Sequence, residues 1–226
     1  MQTRGILFIA TGKQYIEAAI KAAESVRASN PGLGIAFYGD WQNHGYNLTA
    51  NPAPFDVAYP VEKPHRRSKV DFLSKSPFER TLYLDTDTRV VDDISSLFDV
   101  LDRFDIGVTH AMRRNSPERL VTWRKQLPRA FPQFNGGVLL YRNTPQVNAF
   151  FESWSHHFAE AGFNQDQMTL RELLWDSELR IAVLPPEYNV RYEKYLWFWS
   201  KSEATPKILH MEKFHTGNAW MAIKPP

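Results

Sequence analysis

The chain has 226 residues, long enough to bury one sizeable core, and nothing in its length calls for more than a single domain over 1–226. Hydrophobic residues make up 43% and charged residues 23%, near the globular average, which excludes intrinsic disorder and the fibrous classes. Lys plus Arg number 27 against 25 Asp plus Glu, so a formal charge of +2 implies no nucleic-acid partner, and with no Cys, disulfides and thiolate metal sites are excluded.

Met1-Gln2-Thr3-Arg4 runs straight into the apolar Ile6 to Ala10, a stretch too short for a signal-peptide core or a membrane span. A chain without a transmembrane segment, placed in the cytoplasm, is expected. Gly5 to Ala10 reads as a strand covered on both faces, and Ile16, Ala19, Ile20, Ala23 and Val26 then recur at helical spacing. Gly34 to Tyr38 and Asp56 to Val61 are further strand candidates, the latter after the breaker Asn51-Pro52-Ala53-Pro54. The basic cluster His65-Arg66-Arg67-Ser68-Lys69 reads as a solvated loop face leading into a helical stretch from Lys69 to Ser74.

Thr81 to Leu84 reads as a buried central strand and Asp105 to Thr109 as another. Residues 111–133 are rich in Arg, Pro and polar residues with weak periodicity, the pattern of a long functional loop or lid. Gly137 to Tyr141 is strand-like, followed by Thr144-Pro145, an N-cap and a proline at the first helical position. Val147, Phe150, Phe151, Trp154 and Phe158 form that helix's apolar stripe. Asn164 is placed to cap a further helix, with Gln167 at the capping-box position, and Ile181 to Leu184 and Ile208-Leu209 read as late strands. The aromatic run Tyr195 to Trp199 is expected to pack into the core. The alternation predicts an α/β sandwich with a mainly parallel sheet.

The chemistry concentrates at Leu82-Tyr83-Leu84-Asp85-Thr86-Asp87, a strand that ends abruptly in two acids where open α/β sheets bind ligands. Alternation puts Asp85 and Asp87 on one face, able to share a hard cation that also meets phosphate oxygens; turn acids are the plainer reading of the triplet alone. Asn135-Gly136-Gly137 before a strand allows close backbone approach to a ligand, or simply a β-turn. Asn164-Gln165-Asp166-Gln167 opens a helix, and His210 closes a late strand, with Lys213 and His215 close behind; spacing does not settle which of those three faces the site.

Together, and in this order, these pieces resemble the glycogenin-like, retaining family of GT-A glycosyltransferases across nearly the whole chain. The resemblance implies a Rossmann-like GT-A sandwich with a mixed, mainly parallel sheet, in which Asp85, Asp87 and His210 hold manganese (or magnesium) on a uridine diphosphate sugar. It implies that Ile9, Ala10, Thr11, Gly12 and Tyr15 receive the nucleoside, with Tyr15 stacking on the base. Lys69, Thr86 and Lys213 would meet the diphosphate, and Asn135 and Gly136 would line the sugar pocket. Asp166 and Gln167 would flank the anomeric carbon, so Asp166, Gln167 and Lys69 are the candidate catalytic residues. The chain departs from the family at Gly12, where Asn is common, and at His210-Met211-Glu212-Lys213-Phe214-His215-Thr216-Gly217, where the family's His is usually followed by a glycine and Lys-Pro-Trp.

The resemblance leaves the acceptor (glycan, lipid or protein) and any homo-oligomer undefined. A phosphatase of the haloacid-dehalogenase type is the rival, with Asp85 as nucleophile and Asp87 as acid-base. That motif normally opens its chain, and here it follows more than 80 residues of β-α units. A non-catalytic nucleotide-sugar binder is the third reading.

Overall fold

The computed structural model describes residues 3–216. Its centre is a seven-stranded sheet built from β1 (Arg4–Ala10), β2 (Gly34–Gly39), β3 (Val57–Pro60), β4 (Arg80–Leu84), β6 (Ile106–His110), β7 (Phe134–Arg142) and β8 (Ile181–Val183), in the order β3-β2-β1-β4-β7-β6-β8. β5 (Thr88–Val90) and β9 (Ile208–His210) form a separate antiparallel ribbon. Every strand of the large sheet runs one way except β7, which lies antiparallel between β4 and β6. The sheet is therefore mixed and mainly parallel.

Apolar alternation sorts each strand between two cores. Along β1, Ile6 and Phe8 pack with the inner face of α1 (Lys13–Ser29), while Leu7 and Ile9 face the other side. That second core is closed by α3 (Pro145–Ala161), through Val147, Phe151 and Trp154, and by α4 (Gln167–Asp176), through Leu170 and Leu174. Thr144 caps α3 by accepting from the Val147 N–H, with Pro145 at the first position, as its sequence requires. A short α2 (Lys69–Phe72), continued by the 3-10 turn Leu73–Lys75, lies against α3. No helix among the described residues is long and apolar enough to cross a membrane.

Three local expectations are corrected and one strand is added. β7 begins at Phe134, so Asn135-Gly136-Gly137 lie inside a strand rather than in a turn before it, and none of them has a positive φ. The register with β6 slips between Val108 and Thr109, where β7 advances from Leu139 to Asn135 against one step of β6. This irregularity pushes the glycine pair out of the ladder. α4 starts at Gln167 with Asp166, not Asn164, at the cap position. β5 is an addition: Thr88-Arg89-Val90 lacks the short apolar run that marks β8 and β9. Finally, the aromatic run is split by α5 (Lys194–Phe198): Tyr195, Leu196 and Trp199 cover a small cluster around Val190 and Phe214, whereas Trp197 is 84% exposed.

Candidate active site

β4 delivers Asp85 to the carboxyl edge of the sheet, where its N–H still donates to Gly137 O (2.8 Å). The chain then turns, with Thr88 Oγ1 donating to Asp85 O (2.7 Å), and enters β5. Because β5 pairs with β9 in a register that sets Thr88 opposite His210, and Met211 N–H donates to Asp87 O (2.9 Å), the ribbon carries His210 back to the acids. His210 Nε2 lies 3.0 Å from Asp87 Oδ1 and 3.9 Å from Asp85 Oδ2, and one ligand atom from each of the three residues lies within 4.8 Å of the others.

The far ring nitrogen is spoken for: Nδ1 lies 2.8 Å from Asn189 Oδ1, and Asn189 donates its amide N–H to Thr109 Oγ1 (2.8 Å). An imidazole that donates Nδ1–H to an amide oxygen turns an Nε2 lone pair toward two carboxylates, and that arrangement calls for a cation among the three. Two carboxylates and one oriented imidazole suit a divalent ion such as manganese. Burial works against the charge on Asp87, but a protonated His210 first, then His215 and Arg191, outweigh it and hold the carboxyl below its usual range; a cation at the site would take the place of that His210 proton.

Opposite stands a buried ion pair. Lys69, at the start of α2 and 8% exposed, places Nζ 2.9 Å from Asp166 Oδ2 and 3.3 Å from Asp85 Oδ1, and donates to Gly136 O (2.9 Å). Burial opposes both charges, yet each partner outweighs it for the other, so the Lys69 pKa is raised and the Asp166 pKa lowered. Tyr83 donates to Asp85 Oδ1 (2.6 Å), and burial followed by the Asp85 charge pushes its phenol well above the ordinary range, which keeps it a donor at neutral pH.

The glycine pair exists to let these groups approach. A Cβ on Gly136 would stand 3.3 Å from Asp166 Oδ1 and 3.4 Å from Lys69 Nζ, while one on Gly137 would overlap the Asp85 carboxylate and the His210 ring. Asn135 Oδ1 accepts from Gly137 N–H (2.9 Å) and fixes the backbone there.

The space between is a cleft of about 350 Å³ that gathers Ile9, Ala10, Thr11, Tyr15, Lys69, Asp85, Thr86, Asp87, Asn135, Gly136, Asp166, Gln167 and His210. Its outer end is formed by Tyr15, half-exposed and edge-on to the His215 ring at 4.9 Å, with Thr86 Oγ1 3.1 Å from His215 Nε2. His215 thus stands at the Tyr15 end of the cleft, and His210 beside the acid pair. Two expected contacts are absent from the lining. Gly12 opens α1 at φ 93° and donates its N–H to Asp40 Oδ1 (2.8 Å), and Lys213 pairs with Glu193. Conversely, Arg67, Tyr83, Gln165 and Arg191 line the cleft without having been expected there. Arg67 sat in a basic cluster read as solvated, whereas its Nε donates to Asn164 O (3.1 Å) and ties α2 to the start of α4. Arg191, 3.9 Å from Asp87 Oδ2, lies in an irregular segment whose course no spacing reveals.

A family model described as nucleotide-diphospho-sugar transferase matches residues 75–219. No curated protein matches the chain. Among solved structures, the apo glycosyltransferase GlyE of Streptococcus pneumoniae TIGR4 is similar at a TM-score of 0.65 and 18% identity, covering 93% of this chain and 54% of that one. The galactosyltransferase LgtC in complex with donor and acceptor sugar analogues is similar at 0.62 and 17%, covering 92% and 86%. Mouse xyloside xylosyltransferase 1 is similar at 0.59 and 18%, covering 92% and 97%. The chain thus spans about half the length of the GlyE chain, and at these identities the likeness is one of fold, the GT-A fold.

Proposed function

Because the chain belongs to the nucleotide-diphospho-sugar transferase family, we propose that it is a metal-dependent glycosyltransferase that uses the 350 Å³ cleft to bind a nucleotide-diphosphate sugar, a UDP-sugar foremost. The observation that carries this reading is the convergence of Asp85, Asp87 and His210, from β4, the following turn and β9, opposite the Lys69–Asp166 pair. Asp85, Asp87 and His210 would hold manganese or magnesium, which supplies charge neutralisation at the departing diphosphate.

The chain's own residues do the rest. Thr11 and Tyr15 receive the nucleoside, and Lys69, a cation at neutral pH, places a positive charge beside Asp85 where negative charge develops on the leaving group. Asn135 and Gly136 form the floor under the sugar, and Asp166 and Gln167 flank the anomeric carbon. Asp166 is 2% exposed and engaged by Lys69, which suits retention by attack on the face the leaving group departs from better than a covalent intermediate on its carboxylate. A dehalogenase-type phosphatase needs a later acidic pair for magnesium. After Asn135 the only Asp residues are Asp166, which holds Lys69, and Asp176, which holds Lys125 at the surface.

The test is a thermal-shift and donor-hydrolysis screen of nucleotide sugars with and without manganese, on the wild type and on Asp87→Asn. Manganese-dependent stabilisation by one nucleotide sugar, lost in the variant, is expected. Phosphate release from simple phosphomonoesters with no nucleotide response would overturn the proposal.

A further inference from the structure

A second cavity of about 710 Å³ lies beside the cleft, under residues 111–133. It falls within the size range of small-molecule sites. The two spaces are built on the same elements: His110 pairs with Phe134 at the start of β7, one residue before Asn135 of the cleft, and Arg171 follows Gln167 by about one turn of α4.

Its lining has one sign. Arg114, Arg129 and Arg171 all reach it, His110 joins them, and among the described residues no Asp or Glu does. Arg114 and Arg129 are exposed and form no ion pair with any described carboxylate. Arg171 spends its Nε and one terminal nitrogen on the carbonyls of Phe131 (2.7 Å) and Pro128 (2.9 Å), and the neighbouring Glu172 carboxylate, outside the lining, offsets part of its charge, so the excess positive charge in the cavity rests on Arg114 and Arg129. Burial and the nearby Arg114 charge lower the pKa of His110, which fits a positive local potential. Gln133 supplies the independent sign of a ligand: it is 2% exposed, lines the cavity, and neither its Oε1 nor its Nε2 has a hydrogen-bond partner. Buried amides are almost always satisfied.

We propose that this cavity binds an anionic group, phosphate or carboxylate, borne by the sugar acceptor, with Arg114 and Arg129 as its charged contacts and Gln133 as a polar contact. The acceptor's part in it rests on the glycosyltransferase reading; the anion selectivity does not. The cavity's share of β7 and α4 would then deliver an anchored acceptor toward the cleft.

The test uses glucose, glucose 6-phosphate, glucuronate and inorganic phosphate as probes, titrated calorimetrically at constant ionic strength with a chelator present, against the wild type and Arg114→Gln/Arg129→Gln. Both arginines are exposed, so the double variant folds, and an unchanged Tm verifies it. Glucose 6-phosphate or glucuronate is expected to bind at least about tenfold more tightly than glucose, a preference abolished in the variant, as loss of charge-assisted hydrogen bonds requires. Equal binding of neutral and anionic sugars, or a preference that survives the variant, would overturn the site. Inorganic phosphate binding as tightly as glucose 6-phosphate would overturn its link to the acceptor. The manganese-dependent nucleotide-sugar response of the same variant is expected to stay intact, so a failed donor reading is told apart from a failed anion site.

Discussion

Lys69 reaches three oxygens from one nitrogen, on Asp166, Asp85 and Gly136, and its loss has a readable consequence. Lys69→Met leaves a carboxylate buried without its partner and is expected to cost about 3–5 kcal/mol in urea unfolding, with Lys69→Met/Asp166→Asn recovering much of that. The pH dependence follows from the two shifts. The depressed Asp166 pKa contributes stability above the unfolded value of about 3.9, lost as pH falls through the folded pKa; the raised Lys69 pKa contributes below about 10.4, lost as pH rises through the folded one. In Lys69→Met, burial without the lysine pushes the Asp166 pKa upward, so the stability gap between wild type and variant should begin to narrow as pH falls through that raised pKa, before the wild-type carboxylate takes up its proton. Gly137→Ala sets a methyl against Asp85 and His210 and is expected to abolish the manganese response in the thermal shift, at a cost of about 1–3 kcal/mol. Asp85 and Asp87 stood out through their place after a buried strand taken together with the Asn-Gly-Gly, Asp-Gln and late His that follow, since turn acids explain the triplet alone as well. Gly12 and Lys213 were not, since their partners Asp40 and Glu193 are met only through tertiary folding.

Among the elements, those with a long period were readable: β1, α1, β4 and α3 lie where their apolar residues put them. Of the two-strand ribbon, β9 lies where Ile208-Leu209 read as a strand, but β5 and the pairing of the two were not readable, because register between distant segments is set by tertiary packing; that register is what brings His210 to Asp87. Residues 111–133 read as a lid, and the structure shows what holds them. The Glu172 carboxylate accepts the N–H groups of Trp123, Arg124 and Lys125, while the Arg171 guanidinium collects carbonyls of Leu127, Pro128 and Phe131. Glu172→Gln weakens three charge-assisted bonds. It should raise amide exchange at residues 123–125 roughly 5–30-fold, equivalent to about 1–2 kcal/mol, and leave donor binding unchanged. Unaltered exchange in hydrogen–deuterium measurements would sink that account.

At the scale of the whole molecule, β7 and α4 serve both the cleft and the second cavity, α4 giving Gln167 to the one and Arg171 to the other. The exposed Trp197 takes no part in that framework, and Trp197→Ala should change unfolding free energy by less than about 0.5 kcal/mol in urea titration. The class of fold was legible from the β-α alternation, but the position and direction of β7 were not, since strand order is decided by packing rather than by any local pattern. The side chains of Arg171 and Glu172 grip the segment over the cavity by main-chain atoms alone. Such a grip is blind to the identity of the residues it carries. The segment's own side chains that face the cavity, such as Arg114 and Arg129, can therefore be exchanged without loosening it, and a relative or an engineered library could change what the cavity takes while the donor machinery stays as it is.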